Sequence, residues 1–247
     1  MSDGIWAAVS GAVAQQRNLD VTANNVANAN TTGFRADRVA FREALAQAQG
    51  DSPALESIRF VEVSSITSSE EAGALQQTGG TFDLALEGDG MFTLRTEDGD
   101  RYTRAGQFVP DAEGMLRAVD GSAVMAWEDE PGGELREVQV PPGASAITIG
   151  ADGTIDADGA SIGRLAIRSF AADALTKEGD TRYTAEGNGE LSEATVHQGF
   201  LEKSNMNAVA GMNELITVSR SFEAFQKIID TFQELDSRTA RELGKRG

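Results

Sequence analysis

The sequence contains no cysteine, one histidine (His197), five prolines and few aromatic residues, 6% of 247. Without cysteine there are no disulfides, thiolate nucleophiles or thiolate metal ligands. A single histidine leaves no Ser/His/Asp set that does not pass through His197, and Gly-x-Ser-x-Gly is absent. The glycine patterns that cradle nucleotide phosphates are also missing. Aromatics this sparse do not make a base-stacking platform. No apolar run approaches the roughly 20 residues needed to span a bilayer, so no membrane insertion is expected.

Basic residues are scarce in one region only. The formal charge of −18 arises entirely between residues 51 and 199, where 10 basic face 28 acidic side chains. Residues 1–50 hold four of each sign and residues 200–247 seven of each, so both ends are neutral. The acidic middle repels a phosphate backbone, and no nucleic-acid partner is expected. Carboxylates this numerous come close by chance, so their pairing implies no glycosidase chemistry.

What is present begins with two periodic ends. Ile5, Val9, Ala12, Gln16, Leu19, Ala23 and Val26 recur at alternating spacings of four and three, a heptad stripe with one polar member. About 22 helical residues reach roughly 33 Å. The apolar Ile5–Ala14 segment lacks a positively charged start, and its stripe continues past Ala14, so it is expected not to be a cleaved signal peptide. Near the other end Leu215, Val218, Phe222, Phe225, Ile229 and Phe232 repeat at three and four, and Ala208 and Gly211 extend the stripe backward with small side chains. This predicts a second helix from about Ala208 to about Arg241, the two helices packing in a coiled-coil-like way on each other or on neighbouring molecules. Such ends bury little surface alone and are expected to order only on assembly.

Between the ends the period changes. Asp98-Gly99, Asp152-Gly153 and Asp158-Gly159 are turn signals between short β-like runs. Met91–Thr96, Ala123–Trp127, Ala146–Ile149 and Arg164–Arg168 read as strands, the last with one wet face. The loop Asp152–Gly159 fails as a calcium site in both registers: Ala157 falls where glycine is needed, or Ala160 at a ligand position. No metal or cofactor is expected. The fold class is α+β: paired terminal helices with an inserted, mostly antiparallel all-β domain. Residues 1–45 and 200–247 are expected as a helical assembly domain, 46–80 as a connector and 81–199 as the β-rich domain.

Residues 23–34 concentrate Asn24, Asn25, Asn28 and Asn30 ahead of Gly33-Phe34. Asparagine amides compete for backbone hydrogen bonds, which marks a helix end. The cluster also offers amides to a neighbouring chain.

At these residues the sequence resembles the axial proteins of the bacterial flagellum, the rod, hook and hook-associated subunits. Asn24, Asn25, Ala27, Asn28, Thr31 or Thr32, Gly33 and Phe34 match the signature of that family, with Val26 for its Leu and Arg35 for its Lys. A second block is Gly88–Phe92 and Tyr102–Phe108, followed by Asp111, Gly114 and Leu116; a third is Gly199–Asn207, running into Arg220, Phe222, Glu223 and Lys227. Met206 stands where the family more often has Val. Three blocks in order span nearly the whole chain, and the middle block and length are most similar to the basal-body rod group of FlgF and FlgG. The short segment between Leu45 and Phe82 is more similar to the proximal rod subunits than to the distal ones.

The resemblance implies a structural, non-enzymatic subunit of the periplasmic rod. It also implies passage through the flagellar type III export apparatus and assembly with itself and other rod and hook proteins. On that reading an assembly interface is expected at Ile5, Val9, Leu19, Asn24, Asn25, Val26, Asn28, Gly33, Phe34, Ser204, Asn205, Asn207, Leu215, Val218, Phe222, Phe225, Ile229 and Phe232. The alternatives are a distal rod or hook subunit, or a free-standing acidic β-rich enzyme or binding module that dimerises through its ends.

Overall fold

The computed structural model describes residues 2–46, 58–69, 71–128, 131–171 and 174–243. They divide into two compact units. The first comprises residues 1–27, 36–69 and 207–247; the second comprises 28–35 and 70–206.

The first unit holds helix α1 (Ser2–Ala27), strands β1 (Asp37–Ala46) and β2 (Ile58–Ser68), and helix α2 (Ala208–Leu243). Among the described residues the prolines, Pro110, Pro131, Pro141 and Pro142, lie outside the helices, as the missing N–H and the ring clash demand. The helices run antiparallel, as two close approaches show. A Cβ on Gly4 would stand 2.9 Å from Phe232 Cζ, and one on Gly11 would stand 2.5 Å from Phe225 Cε1. Seven residues forward on α1 thus answer seven backward on α2. Carried on, the same step sets Asn18 level with Val218 and Asn25 level with Gly211; Val218, Asn25 and Gly211 are all buried.

β1 and β2 pair antiparallel, with a bulge where Ala40 opposes Ser65 and Phe41 opposes Val63, so that Ser64 is the extra residue. The span expected as a connector therefore contains β2 and, in the second unit, β3 (Leu75–Gln77); its residues 47–57 lie outside the described residues.

The second unit is β throughout. Its strands continue as β4 (Leu84–Glu87), β5 (Met91–Thr96), β6 (Gly99–Thr103), β7 (Phe108–Pro110), β8 (Leu116–Ala118), β9 (Ala123–Trp127) and β10 (Leu135–Glu137). Then follow β11 (Ile147–Ile149), β12 (Thr154–Ala157), β13 (Ala160–Leu165), β14 (Ile167–Ser169), β15 (Leu175–Glu178), β16 (Arg182–Ala185), β17 (Glu190–Leu191), β18 (Thr195–Gln198) and β19 (Phe200–Glu202). One large antiparallel sheet runs in the order β11-β12-β13-β9-β5-β6-β16-β15, while β18 pairs with β4 and β19 with β3. β9 is buried along its whole length, which is why its sequence is an unbroken apolar run and does not alternate. The core gathers Leu84, Leu86, Phe92, Leu94, Phe108, Leu116, Val124, Ile155, Leu165 and Val196.

The turn signals fall where expected. Gly99 takes positive φ where it opens β6, and Gly153 and Gly159 take positive φ between β11 and β12 and between β12 and β13. Asp158 joins Gly159 at positive φ, and its carboxylate accepts the N–H groups of Ser145 and Ala146. Asp152 accepts from the Thr154 N–H and hydroxyl. These carboxylates are thus engaged in turn hydrogen bonds.

The expectation of one strand with a wet face at Arg164–Arg168 needs correction. The strand breaks at Ala166, which donates to Met125 O (2.9 Å) and accepts from Thr93 N (3.0 Å). Ala166 is buried against Met125 and Trp127, so at that position both faces are covered. The small side chain between two larger ones signals a tight packing site between β5 and β9.

Candidate assembly interface

On α2 the seven stripe positions from Gly211 to Phe232 are the less exposed ones: Gly211 and Val218 are buried, and Leu215, Phe222, Phe225, Ile229 and Phe232 are half-buried. The α1 stripe is displaced from the heptad in the sequence. Ile5, Val9, Leu19 and Val26 are half-buried, but Gln16 and Ala23 are exposed. The buried positions of α1 are smaller, Ala8, Gly11, Ala12, Ala14 and Thr22, and of these Gly11 lies against Phe225 of α2. The physical reason is the pairing of glycine with phenylalanine. Gly4 and Gly11 leave room for the rings of Phe232 and Phe225, so hydrophobicity alone does not mark this face of α1. Side chains this small bury little apolar area.

The outward faces of the pair carry large apolar groups. Trp6 (58% exposed) and Val13 (53%) stand one heptad apart on α1, and Val209, Met212, Ile216, Ile228 and Leu235 are exposed on α2. Scattered single residues are ordinary on a surface; a helical pair that keeps seven of them exposed presents material for contacts with other molecules.

The amides of Asn25, Asn28, Asn205 and Asn207 bond within the chain. Asn25 Nδ2 donates to Asp37 O (2.8 Å) while its Oδ1 accepts from Asp37 N (2.9 Å), fixing the start of β1 to α1. Asn28 closes the turn after α1: its carbonyl accepts from Thr31 N (3.0 Å) and its Oδ1 from the Thr31 hydroxyl (2.9 Å), and Nδ2 donates to Asp180. Asn207 caps α2, its Oδ1 accepting from Val209 N (3.0 Å) and Ala210 N (3.1 Å). Ser204 Oγ accepts from Met206 N, and Asn205 Nδ2 donates to Glu71 O. Asn24 is exposed.

Gly33 and Phe34 sit in a node that spacing could not reveal. Gly33 adopts φ +69°, and a Cβ there would stand 2.3 Å from Ala105 N, so only glycine fits. Its N–H donates to Glu202 O (2.8 Å). The Glu202 carboxylate, 1% exposed, lies between Arg35 Nη2 (3.8 Å) and Arg104 Nη1 (3.5 Å) and accepts from Gly73 N (3.1 Å). Arg104 also donates to Leu86 O and Gly88 O. Phe34 is buried under Lys177, whose Nζ is 4.1 Å from the ring centroid and donates to Arg35 O. One residue from each of the three signature blocks, Arg35, Arg104 and Glu202, therefore meets in a single buried ion cluster. Burial first, and the neighbouring Arg35 charge second, hold the Arg104 guanidinium down to about 10, with Glu202 opposing. Arg104 and Glu202 belong to the second and third signature blocks, and that membership is the only mark the sequence gives of their meeting.

Among the described residues no group of three or more His, Asp or Glu is placed to hold a metal, and no helix is long and apolar enough to cross a membrane. His197 lies on β18 with Nε2 2.7 Å from Glu87 Oε2.

Comparison with known proteins agrees with this layout block by block. Residues 5–35 match the family model for the flagella basal body rod protein, 85–157 that for the flagellar hook protein FlgE/F/G D1 domain, and 197–242 that for the flagellar basal body rod FlgEFG protein C-terminal. A flagellar basal-body rod protein FlgF of Caulobacter vibrioides is 32% identical over 253 residues, covering 99% of each chain. FlgG of Bacillus subtilis is 34% identical over 261 residues, covering 95% of this chain and 97% of its own. FlgF of Rhizobium meliloti is 34% identical, covering 90% of both. With full-length similarity at this level, and its signature residues joined in one buried cluster, the chain belongs to the flagellar basal-body rod protein family of FlgF and FlgG.

Proposed function

We propose that this chain is a structural, non-enzymatic subunit of the proximal part of the flagellar rod, polymerising through its terminal helical pair. The observation that carries the reading is the composition of that pair. It closes on itself with glycine, alanine and a few half-buried aromatics, and it keeps Trp6, Val13, Val209, Met212, Ile216, Ile228 and Leu235 exposed. Association of such faces with further helices removes more apolar area from water than the pair removes alone, at roughly 25 cal/mol per Å². The half-buried stripe residues named from the sequence, Ile5, Val9, Leu19, Val26 and Leu215 to Phe232, then serve two purposes, packing within the chain and between copies in a coiled-coil-like layer. Open helical polymerisation requires two unlike surfaces on each subunit.

The proximal position is supported by the lengths of the comparisons. The comparison with Bacillus subtilis FlgG runs over 261 residues yet covers 95% of this chain, whereas that with Caulobacter vibrioides FlgF runs over 253 and covers 99%. A longer comparison that covers less of the chain is what extra residues in the FlgG relative produce. The distal-rod reading keeps one observation in its favour, since identity to FlgG is as high as identity to FlgF. Passage through the flagellar export apparatus without a cleaved signal peptide, and a basal-body location in the periplasm with other rod and hook proteins as neighbours, complete the proposal.

A chromosomal deletion examined by electron microscopy of isolated basal bodies tests it. The expected result is loss of the rod beyond the missing subunit and loss of swimming, both restored by the intact gene. Normal rods in the deletion strain would refute it. A rod that stops further out would select the distal position.

A further inference from the structure

The second unit contains a cavity of about 250 Å³ lined by Arg35, Asp89, Gly90, Met91, Arg104, Arg168, Ser169, Phe170, Ala171 and Leu175. Three guanidinium groups on one small cavity is unexpected in a chain whose net charge of −18 lies wholly in its middle. Among the described residues the neighbouring carboxylates are Asp89 on the wall and Glu202 behind Arg35 and Arg104, two against three guanidinium groups. Each of the three arginines also has a buried Nε–H for which no atom of the described residues acts as acceptor. Arg104 is 2% exposed, and buried donors without acceptors cost about 1–3 kcal/mol each unless something else accepts from them. Burial first, and the Arg35 charge second, hold the Arg104 pKa down to about 10 against the opposing pull of Glu202 and Asp89.

Arg168 is positioned independently of the Glu202 cluster. Its guanidinium stacks 4.8 Å from the Trp127 ring centroid and donates to Asn188 O. Stacked and forked arginines bind planar or tetrahedral oxyanions through paired N–H donors. The cavity is smaller than the roughly 300–1,000 Å³ of sites for drug-sized ligands, which points to a small group.

We propose that this cavity is an oxyanion-binding site, in which Arg35, Arg104 and Arg168 together receive a phosphate or a carboxylate. The oxyanion comes either from solution as a free anion or from an acidic side chain of a second copy of this chain; the donors required are the same.

The test uses the full-length protein and inorganic phosphate, titrated against chloride at matched ionic strength because exposed charges are screened by salt. In ¹⁵N-labelled protein, phosphate is expected to shift the Nε–H resonances of Arg35, Arg104 and Arg168 together. Arg168→Gln is expected to weaken phosphate binding about tenfold or more, and Arg168→Lys, which keeps the charge but not the fork, to weaken it less. Should Arg168→Gln fail to fold, judged by its urea midpoint in chloride, Arg168→Lys and the wild-type resonances carry the test. Sedimentation velocity separates the two sources. For a free anion, phosphate binds without changing self-association; for a neighbour's carboxylate, both phosphate and Arg168→Gln reduce it. The proposal is overturned if phosphate shifts none of the three resonances and the Arg168 variants bind and associate like wild type.

Discussion

The two units of this chain keep their apolar groups in opposite ways. In the β unit Phe92, Leu84, Leu86, Leu94, Leu116, Met125, Ile155 and Leu165 are all fully buried, although Leu75, Val109, Val119 and Leu191 are exposed. In the helical unit the fully buried positions are mostly small, Ala8, Ala12 and Ala14 with Thr22 and Asn25, while Trp6, Val13, Val209, Met212 and Ile216 are exposed. Burial of large apolar groups is the main stabilising contribution to a folded domain. The difference is that the β unit buries its large apolar groups within itself, whereas the helical unit leaves several of its own exposed, as the proposed assembly requires.

Breaking the comparison at each side gives graded effects. The largest is expected from Phe225→Asp, which sets a carboxylate against Gly11. Assembly should be abolished and helical ellipticity of the soluble chain reduced, while the urea transition of the β unit, followed by fluorescence of the buried Trp127, stays unchanged. Assembly at wild-type levels would show the stripe to be misplaced. Glu202→Gln strikes the other side. Removing the one carboxylate between two buried arginines leaves positive charge uncompensated, at a cost of about 3–5 kcal/mol, read as a lowered urea midpoint of the β unit.

A smaller loss is expected at the entrance to α2. Asn207→Ala removes the acceptor for two first-turn N–H groups and should cost about 1 kcal/mol, visible as fraying of residues 208–212 in amide exchange with the β unit unaffected. The smallest is a matter of pH. Asp111 accepts a hydrogen bond from Arg117, which holds its carboxyl below the usual range; the N–H groups of Met115 and Glu113 act in the same direction. A depressed native pKa contributes stability that is complete above the unfolded pKa and is lost as pH falls through the native one. Asp111→Asn should therefore lower the melting temperature slightly at neutral pH, and the gap from wild type should close on acidification below the carboxylate range. A gap independent of pH would assign the effect to the turn and not to the charge.

How much of this was legible in the sequence differs by region for the same physical reasons. The α2 stripe, strands β5 and β9 and the Asp-Gly turns were readable because large apolar periodicity and positive-φ glycine leave direct marks. The contact face of α1 was not, since Gly4 and Gly11 accept the rings of Phe232 and Phe225 and carry no hydrophobic signal of their own. The strand break at Ala166 was hidden by a correct local alternation that tertiary packing overrides. Asn25 fell within the asparagine cluster that marked a helix end, but its partner lies 12 residues away; Asn207 was named only as a motif and interface residue, and its capping of the first turn of α2 was not read. The Arg35–Glu202–Arg104 cluster joins positions separated by more than 160 residues, and only their shared membership in the signature blocks hinted at a meeting.

Amide hydrogen exchange of residues 2–27 and 208–243, measured in the purified monomer and again in assembled rods, tests the central claim most directly. Weak protection in the monomer that rises strongly on assembly, with the strands of the β unit protected equally in both, is the predicted result. Helices as strongly protected in a lone monomer as in the rod would contradict it.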